Sequence, residues 1–282
     1  YFWKIVDTDG QTNNEGPMWG FDIPVTSDPV IDAGDDADDG TADTFLIEIS
    51  LNGEAATTLD VTVNGALQDH LVVVETTSLT IDGSPDDDTI TIDLGTGVLA
   101  DELDLDLIFN GGGGSNSLSL INGSATDVDY TFSSSTNGTI PLKGVQLLDF
   151  RDVASIEDDL AATNRNFTFP SSGDTLTLTD DEHPNDGQSL LIHIGNTPLI
   201  FSDPTAALTI NAGDGDDTIN ITGIDGNFPA TVALTISGDG GTDDAHFDTT
   251  LGLNGLSVTA DSITFEDDAD VTTVGATLTA LT

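Results

Sequence analysis

Residues 208–222 read LTINAGDGDDTINIT. Two short alternating runs, Leu208-Thr209-Ile210 and Thr218-Ile219-Asn220-Ile221, flank a loop built almost wholly of glycine and aspartate. Alternation of apolar and polar residues marks a half-buried strand. Asp214, Asp216 and Asp217 crowd the loop, so their repulsion must be met by water or by a cation.

The stretch has relatives within the chain. Leu79-Thr80-Ile81 aligns with Leu208-Thr209-Ile210, and DGSPDDDTITI then falls under NAGDGDDTINI without a gap. Residues 107–120 (LIFNGGGGSNSLSL) and 234–247 (LTISGDGGTDDAHF) fit the same frame, and 30–49 fits with an insertion. The copies come in two pairs, with 28 residues from Leu79 to Leu107 and 26 from Leu208 to Leu234. Self-similarity at such periods signals stacked units that share one thin core. The expected fold is therefore all-β, a parallel β-solenoid or β-helix-like array with irregular long coils. The alternative is a run of tandem antiparallel β-sandwich modules in which LTI-NAGDGD-DTINI is a hairpin. Only Ala154 to Thr163 has a helix-like pattern.

Composition agrees. Hydrophobic residues make up 37% of the 282 and aromatics 6%, too few for a bulky core but enough for a thin one. Against 51 acidic residues stand four basic ones, Lys4, Lys143, Arg151 and Arg165, for a formal charge of −47. The acids fall between alternating apolar residues, which speaks for strands with charged turns and against disorder. Such a field excludes nucleic-acid binding and repels anionic lipid. It suits a saline or calcium-rich exterior, where the Debye length falls to about 3 Å at molar salt. No apolar run approaches the roughly 20 residues of a membrane span, so no membrane insertion is expected. The absence of cysteine removes disulfides, thiolate metal sites and cysteine nucleophiles. The start at Tyr1, without methionine or signal peptide, suggests a segment excised from a longer precursor.

Four regions emerge: an aromatic-rich arm or cap over 1–28, a first β-repeat region over 29–122, an irregular β region over 123–205 and a second β-repeat region over 206–282. The arm holds both tryptophans, Trp3 and Trp19, and is expected either to cover an open sheet end or to add a strand to a neighbouring copy.

Residues 212–220, AGDGDDTIN, differ only at the first position from G-G-x-G-x-D-x-U-x, where U is a large apolar residue. Here the sequence resembles the RTX, or haemolysin-type, calcium-binding repeat of secreted bacterial proteins. The resemblance implies calcium held between consecutive turns, with Gly213 and Gly215 on the repeat's glycines, Asp217 on its aspartate and Ile219 on its core residue. Asp88 and Ile90 keep the pattern in one further copy, Asp243 in another, and Asn116 replaces the aspartate in a fourth. The nonapeptide recurs only once per 26 to 28 residues, so the resemblance spans about a sixth of the chain. The texture is also similar to that of large acidic surface proteins of marine bacteria.

Calcium takes six to eight oxygens, more than one loop supplies, so adjacent loops must share an ion. The candidate ligands are Asp214, Asp216, Asp217, Asp239 and Asp243, then Asp86, Asp87 and Asp88, and Asp35 and Asp36 in the longer first loop. No catalytic set is evident: no cation lies near an acidic frame, and His70, His183, His193 and His246 lack metal-site spacing. His193, in LLIHI, is placed on the outward face of its strand. The sequons at Asn122, Asn137, Asn166 and Asn220 are compatible with attached glycans. The expected function is that of a secreted, non-catalytic, self-associating structural protein, a segment of a cell-surface filament, layer or adhesin. The alternatives are a carbohydrate-binding module and a polysaccharide-cleaving β-helix enzyme.

Overall fold

The computed structural model describes residues 2–3, 19–20, 28–32, 40–52, 56–72, 76–95, 105–142, 145–193, 198–267 and 269–281. Asp35, Asp36 and most of the aromatic arm lie outside these residues. Among them the regular structure is all strand.

The alternation read from the sequence sets the inside and the outside. Leu79 and Ile81, Ile90 and Ile92, Leu208 and Ile210, and Ile219 and Ile221 are buried, while the threonines, asparagines and aspartates between them face out. A period of two places every second side chain on one face, so a sheet of such strands buries one apolar face.

Strands β1 (Phe2–Trp3) and β2 (Trp19–Gly20) pair with each other apart from the main sheets. The chain then runs through β3 (Val30–Asp32), β4 (Thr44–Asn52), β5 (Ala56–Val63), β6 (Ala66–Val72), β7 (Ser78–Asp82) and β8 (Thr89–Asp93). Next come β9 (Asp106–Asn110), β10 (Asn116–Ile121), β11 (Ser124–Phe132), β12 (Gly138–Leu142), β13 (Val145–Arg151) and β14 (Val153–Asp158). They are followed by β15 (Ala161–Thr168), β16 (Thr175–Asp180), β17 (Gln188–His193), β18 (Pro198–Ser202), β19 (Ala207–Asn211) and β20 (Thr218–Ile221). The last are β21 (Ala233–Ser237), β22 (Asp244–Phe247), β23 (Thr250–Leu253), β24 (Gly255–Ala260), β25 (Ser262–Phe265), β26 (Asp270–Thr273) and β27 (Ala276–Ala280).

Two long sheets result. Sheet I has the order β25-β22-β20-β16-β17-β18-β14-β10-β8-β4-β5-β6, and sheet II the order β27-β24-β21-β19-β15-β11-β12-β13-β9-β7-β3. β23 and β26 form a small parallel pair of their own. The acidic loop of each repeat joins a strand of sheet II to a strand of sheet I. Leu208 and Leu234 are register partners, as are Ile219 and Ala245, so repeat lies on repeat in parallel. β19 and β20 belong to different sheets, which rules out the hairpin alternative. Residues 154–163, helix-like in pattern, form most of β14 and the start of β15: Ile156 and Asp158 alternate inward, and period two wins over a short helical run.

Three times the chain departs from simple crossing. From β10 it overshoots to β11, doubles back antiparallel through β12 and β13, and sets β13 parallel against β9. In sheet I, β16 overshoots, β17 returns, and β18 pairs parallel with β14. The meander β4-β5-β6 repeats this form at the sheet edge. Residues 123–205, which lack the acidic frame, thus contribute β11 to β18 to both sheets.

Within the core, Arg165 is wholly buried. Its guanidinium pairs with Asp158, donates to the carbonyls of Leu160 (2.6 Å) and Ser202 (2.7 Å), and lies 5.6 Å from the Phe201 ring. Tyr130 donates to the same carboxylate at 2.8 Å, and burial first, then Asp158, raises its pKa well above the usual phenol range.

Candidate functional site

The acidic loops enter sheet I through one repeated tripeptide: an Asp or Asn, then in most copies a Thr or Ser, then the first inward apolar residue of the strand. Asp43, Asp88, Asn116, Asp174, Asp217, Asp243 and Asp261 all hold its first position. Parallel stacking of the strands stacks these side chains as well.

The result is a ladder. Asp43 donates its backbone N–H to Asp88 Oδ1 (2.9 Å), and Asp88 donates to Asn116 Oδ1 (2.9 Å). Past the meander, Asp174 donates to Asp217 Oδ1 (2.7 Å), Asp217 to Asp243 Oδ1 (3.1 Å) and Asp243 to Asp261 Oδ2 (2.9 Å). Each side chain supplies an acceptor where the sheet's own ladder begins, so the bend's first N–H is not stranded.

Where a meander interrupts the column, a side chain caps it. Asn64 Nδ2 donates to Asp43 Oδ1 at 2.7 Å, and His193 Nε2 lies 2.9 Å from Asp174 Oδ1. His193 is buried, and its ring stands at 71° to that of Phe169 with centroids 5.2 Å apart. The outward placement expected from LLIHI is corrected: Ser189, Leu191 and His193 form the buried face of β17 by simple alternation, and His193 is the register partner of buried Leu176.

The second oxygens divide the column. Asn116 uses its amide, donating to the carbonyls of Gly113 (2.8 Å) and Asp152 (2.9 Å). Asp88 Oδ2 accepts from Ser84 N at 2.5 Å. At the place equivalent to Ser84, Gly213 gives its backbone N–H to Asn211 Oδ1 (2.9 Å), and among the described residues Asp217 Oδ2 and Asp243 Oδ2 are buried without a hydrogen-bond partner. Asp43 Oδ2 and Asp174 Oδ2 share that condition. Burial, reinforced by Asp243, Asp174 and Asp216 and opposed by the Asp174 N–H, pushes the Asp217 carboxyl up to about 6. Burial likewise raises Asp243, with Asp261, Asp216 and Asp239 adding to it.

The loops above these carboxylates lie side by side. Asp214 bridges to Gly240, Gly215 N donates to Gly240 O (2.5 Å), and Thr242 N donates to Asp216 Oδ1 (2.9 Å). Gly241 has φ 141°, and a Cβ there would overlap the Gly215 carbonyl, so close loop packing requires glycine. Asp239, at φ 59°, accepts from Ser237 Oγ at 2.6 Å. In the first pair of loops, Asp87 Oδ1 accepts from Ser115 N (2.7 Å) and Asp86 Oδ2 from Gly40 N (3.2 Å). Structure thus brings Asp214, Asp216, Asp217, Asp239 and Asp243 onto two adjoining bends. It gives Asp217, Asp243 and Asp88 a second task, as acceptors for neighbouring backbone.

Among the described residues, three metal-type ligand atoms come within 4.8 Å of one another only at Asp181, His183 and Asp186. They lie on the β16–β17 loop, which buried Asp225 ties down by accepting from Asn185 N (2.6 Å) and Asp186 N (3.2 Å). Its signal in the sequence is the spacing D-x-H-x-x-D over residues 181–186, which the helical pattern H-E-x-x-H does not cover.

Comparison with protein-family models, with curated proteins and with solved structures finds no match.

Proposed function

We propose that this chain is a β-solenoid segment of a secreted, non-catalytic structural protein, part of a cell-surface filament, layer or adhesin, with divalent cations, calcium first, holding its acidic bends together. The observation that carries the reading is the row of buried, half-satisfied carboxylates beneath stacked aspartate loops, in a chain with only four basic residues.

The donors are of the type a hard cation takes, all carboxylate oxygens. An ion would have to draw them closer than they stand, since three ligand atoms come within 4.8 Å of one another only at Asp181, His183 and Asp186 among the described residues. Calcium prefers carboxylate and carbonyl oxygens in flexible number. The Oδ2 atoms of Asp217 and Asp243 and the loop carboxylates of Asp214, Asp216 and Asp239 are oxygen donors without a counter-charge at hand. Bound there, calcium would supply positive charge that offsets the cost of keeping these groups ionised out of water. The chain's own residues do the rest: glycines let the loops close on each other, and the ladder fixes each bend at the height of one strand.

A ligand that binds only the folded form adds RT ln(1 + [L]/Kd), about 2.7 kcal/mol at a hundredfold excess over Kd. Folding would then be completed in a calcium-rich exterior. Outward amide and carboxylate pairs, such as Asn110 with Asp82 (2.6 Å) and Asn164 with Asp127 (2.8 Å), lower repulsion along the sheets without metal.

The test is thermal unfolding with calcium, magnesium or chelator at fixed ionic strength, alongside equilibrium dialysis. A rise of about 5–10 °C with calcium is expected, at about 2–4 °C per kcal/mol for a domain near this size. Identical melting in chelator and calcium, with no ion retained, would remove the cation from the proposal.

A further inference from the structure

The ends of the two sheets are stepped. Counting outward from β7 and β8, sheet II has one further strand at the N-terminal end, β3, and sheet I has three, β4, β5 and β6. Toward the other end sheet II has nine further strands and sheet I eight, so β27 stands one strand beyond β25. Sheet I thus projects at one end and sheet II at the other.

The large apolar side chains left exposed among the described residues gather at these ends. They are Val30 on β3, Leu67 on β6, Phe265 on β25, Val274 before β27 and Leu278 on β27, between 41% and 85% exposed. Phe265 and Leu278 are not incidental surface residues. Phe265 is the register partner of buried Phe247 and stacks on it at 4.8 Å, and Leu278 is the partner of buried Val258. Each continues a core column by one residue, on the last strand of its sheet among the described residues.

The molecule contains its own template for what belongs there. In the two internal meanders the third strand lies parallel to a strand laid down earlier, β13 against β9 and β18 against β14. β6 is the third strand of the same device, and among the described residues its outer edge carries no sheet partner. A partner in that position must run parallel to β6, which, two reversals on from β4, shares the direction of the through strands of sheet I. β25, whose outer edge is unpaired among the described residues, is such a strand.

We infer that copies of this chain join head to tail, β25 of one pairing in parallel with β6 of the next, while β27 lies beside β6 and covers the first of the two strand heights by which sheet I steps beyond β3. The joint rests on the structural reading proposed above and gives it a mechanism. It is heterologous, so it propagates and does not close into a symmetric pair. The common charge of −47 makes it dependent on salt or calcium.

The experiment is sedimentation and electron microscopy of the 282-residue chain in about molar salt with calcium. The variants are Leu67→Asp, which charges the β6 edge, and Leu278→Asp, which charges β27. Both sites are exposed, and unchanged melting will show that both variants fold. Wild type is expected to form chains and each variant alone to stay monomeric. An equimolar mixture should give particles of twice the monomer mass, because one free β25 end then meets one free β6 end. Chains that persist in both variants would overturn this joint while leaving the structural reading standing, as would chains abolished only by deleting residues 1–27. A monomeric wild type overturns the joint, and if chelator also leaves melting unchanged, the structural reading falls with it.

Discussion

Replacing Asp217 by asparagine should stabilise the protein in chelator at neutral pH. In the fold this carboxyl titrates at about 6, against 3.8 in the open chain. A raised acid favours folding at low pH, below about 3.8, and that contribution is lost as pH rises through 6. The difference of roughly two units corresponds to at most about 3 kcal/mol, and the solvated loop above the site screens part of it, leaving about 1–2 kcal/mol. The asparagine side chain would carry no charge, would keep an oxygen for the Asp174 N–H, and would place an amide where Oδ2 now lacks a partner. Asn116 already makes two hydrogen bonds from the equivalent position. Urea unfolding of both proteins in chelator at pH 7.5 and pH 4 would measure the effect. A gain of about 1–2 kcal/mol at the higher pH that shrinks toward zero at the lower is expected, with a smaller calcium response. A variant less stable than wild type at both pH values would refute the account of the buried column.

Other perturbations test separate parts. Arg165→Ala should cost about 3–5 kcal/mol, since it leaves the Asp158 carboxylate without its counter-charge and the Leu160 and Ser202 carbonyls without their donor; chemical denaturation reads this directly. Gly241→Ala, at φ 141° against the Gly215 carbonyl, should lose about 1–3 kcal/mol and weaken calcium retention in dialysis. The Asp203 carboxyl, also raised to about 6 by burial, should join Asp217 in making the chelated protein more stable at pH 5 than at pH 7; melting curves that fall on acidification across that interval would contradict both. His193→Phe keeps the contact with Phe169 but removes the cap on Asp174, and a loss of about 1–2 kcal/mol is expected in urea.

Much of the architecture was legible because one physical rule generated it. Ile219 and Ala245, or Leu208 and Leu234, recur in the same frame because each strand buries one face on the core and lies directly over its predecessor. The meanders were not legible. β12 and β17 obey the same alternation as their neighbours, and alternation does not distinguish a strand that crosses to the other sheet from one that turns back on the strand just before it in the chain, as both do here. Asp217 and Asp243 were found by their loop pattern, but their backbone bonds were missed, and so was Asp174, whose tripeptide Asp174-Thr175-Leu176 lies outside any glycine-rich frame. His193 was misplaced because Leu190-Leu191-Ile192 leaves the phase of the alternation open: the inward set is Leu191 and His193, with Leu190 and Ile192 on the other face.

The meanders also constrain how such a chain can change length. β12 and β13 add two strands to sheet II, and β17 and β18 add two to sheet I directly afterwards, so the sheets come back level and the aspartate column resumes in line. Deleting one excursion would slide one sheet against the other by two strand spacings, about 9–10 Å, and break every later crossing at once. Deleting both together would restore alignment, so insertions and losses in this scaffold should come in compensating couples, like paired frameshifts in a reading frame.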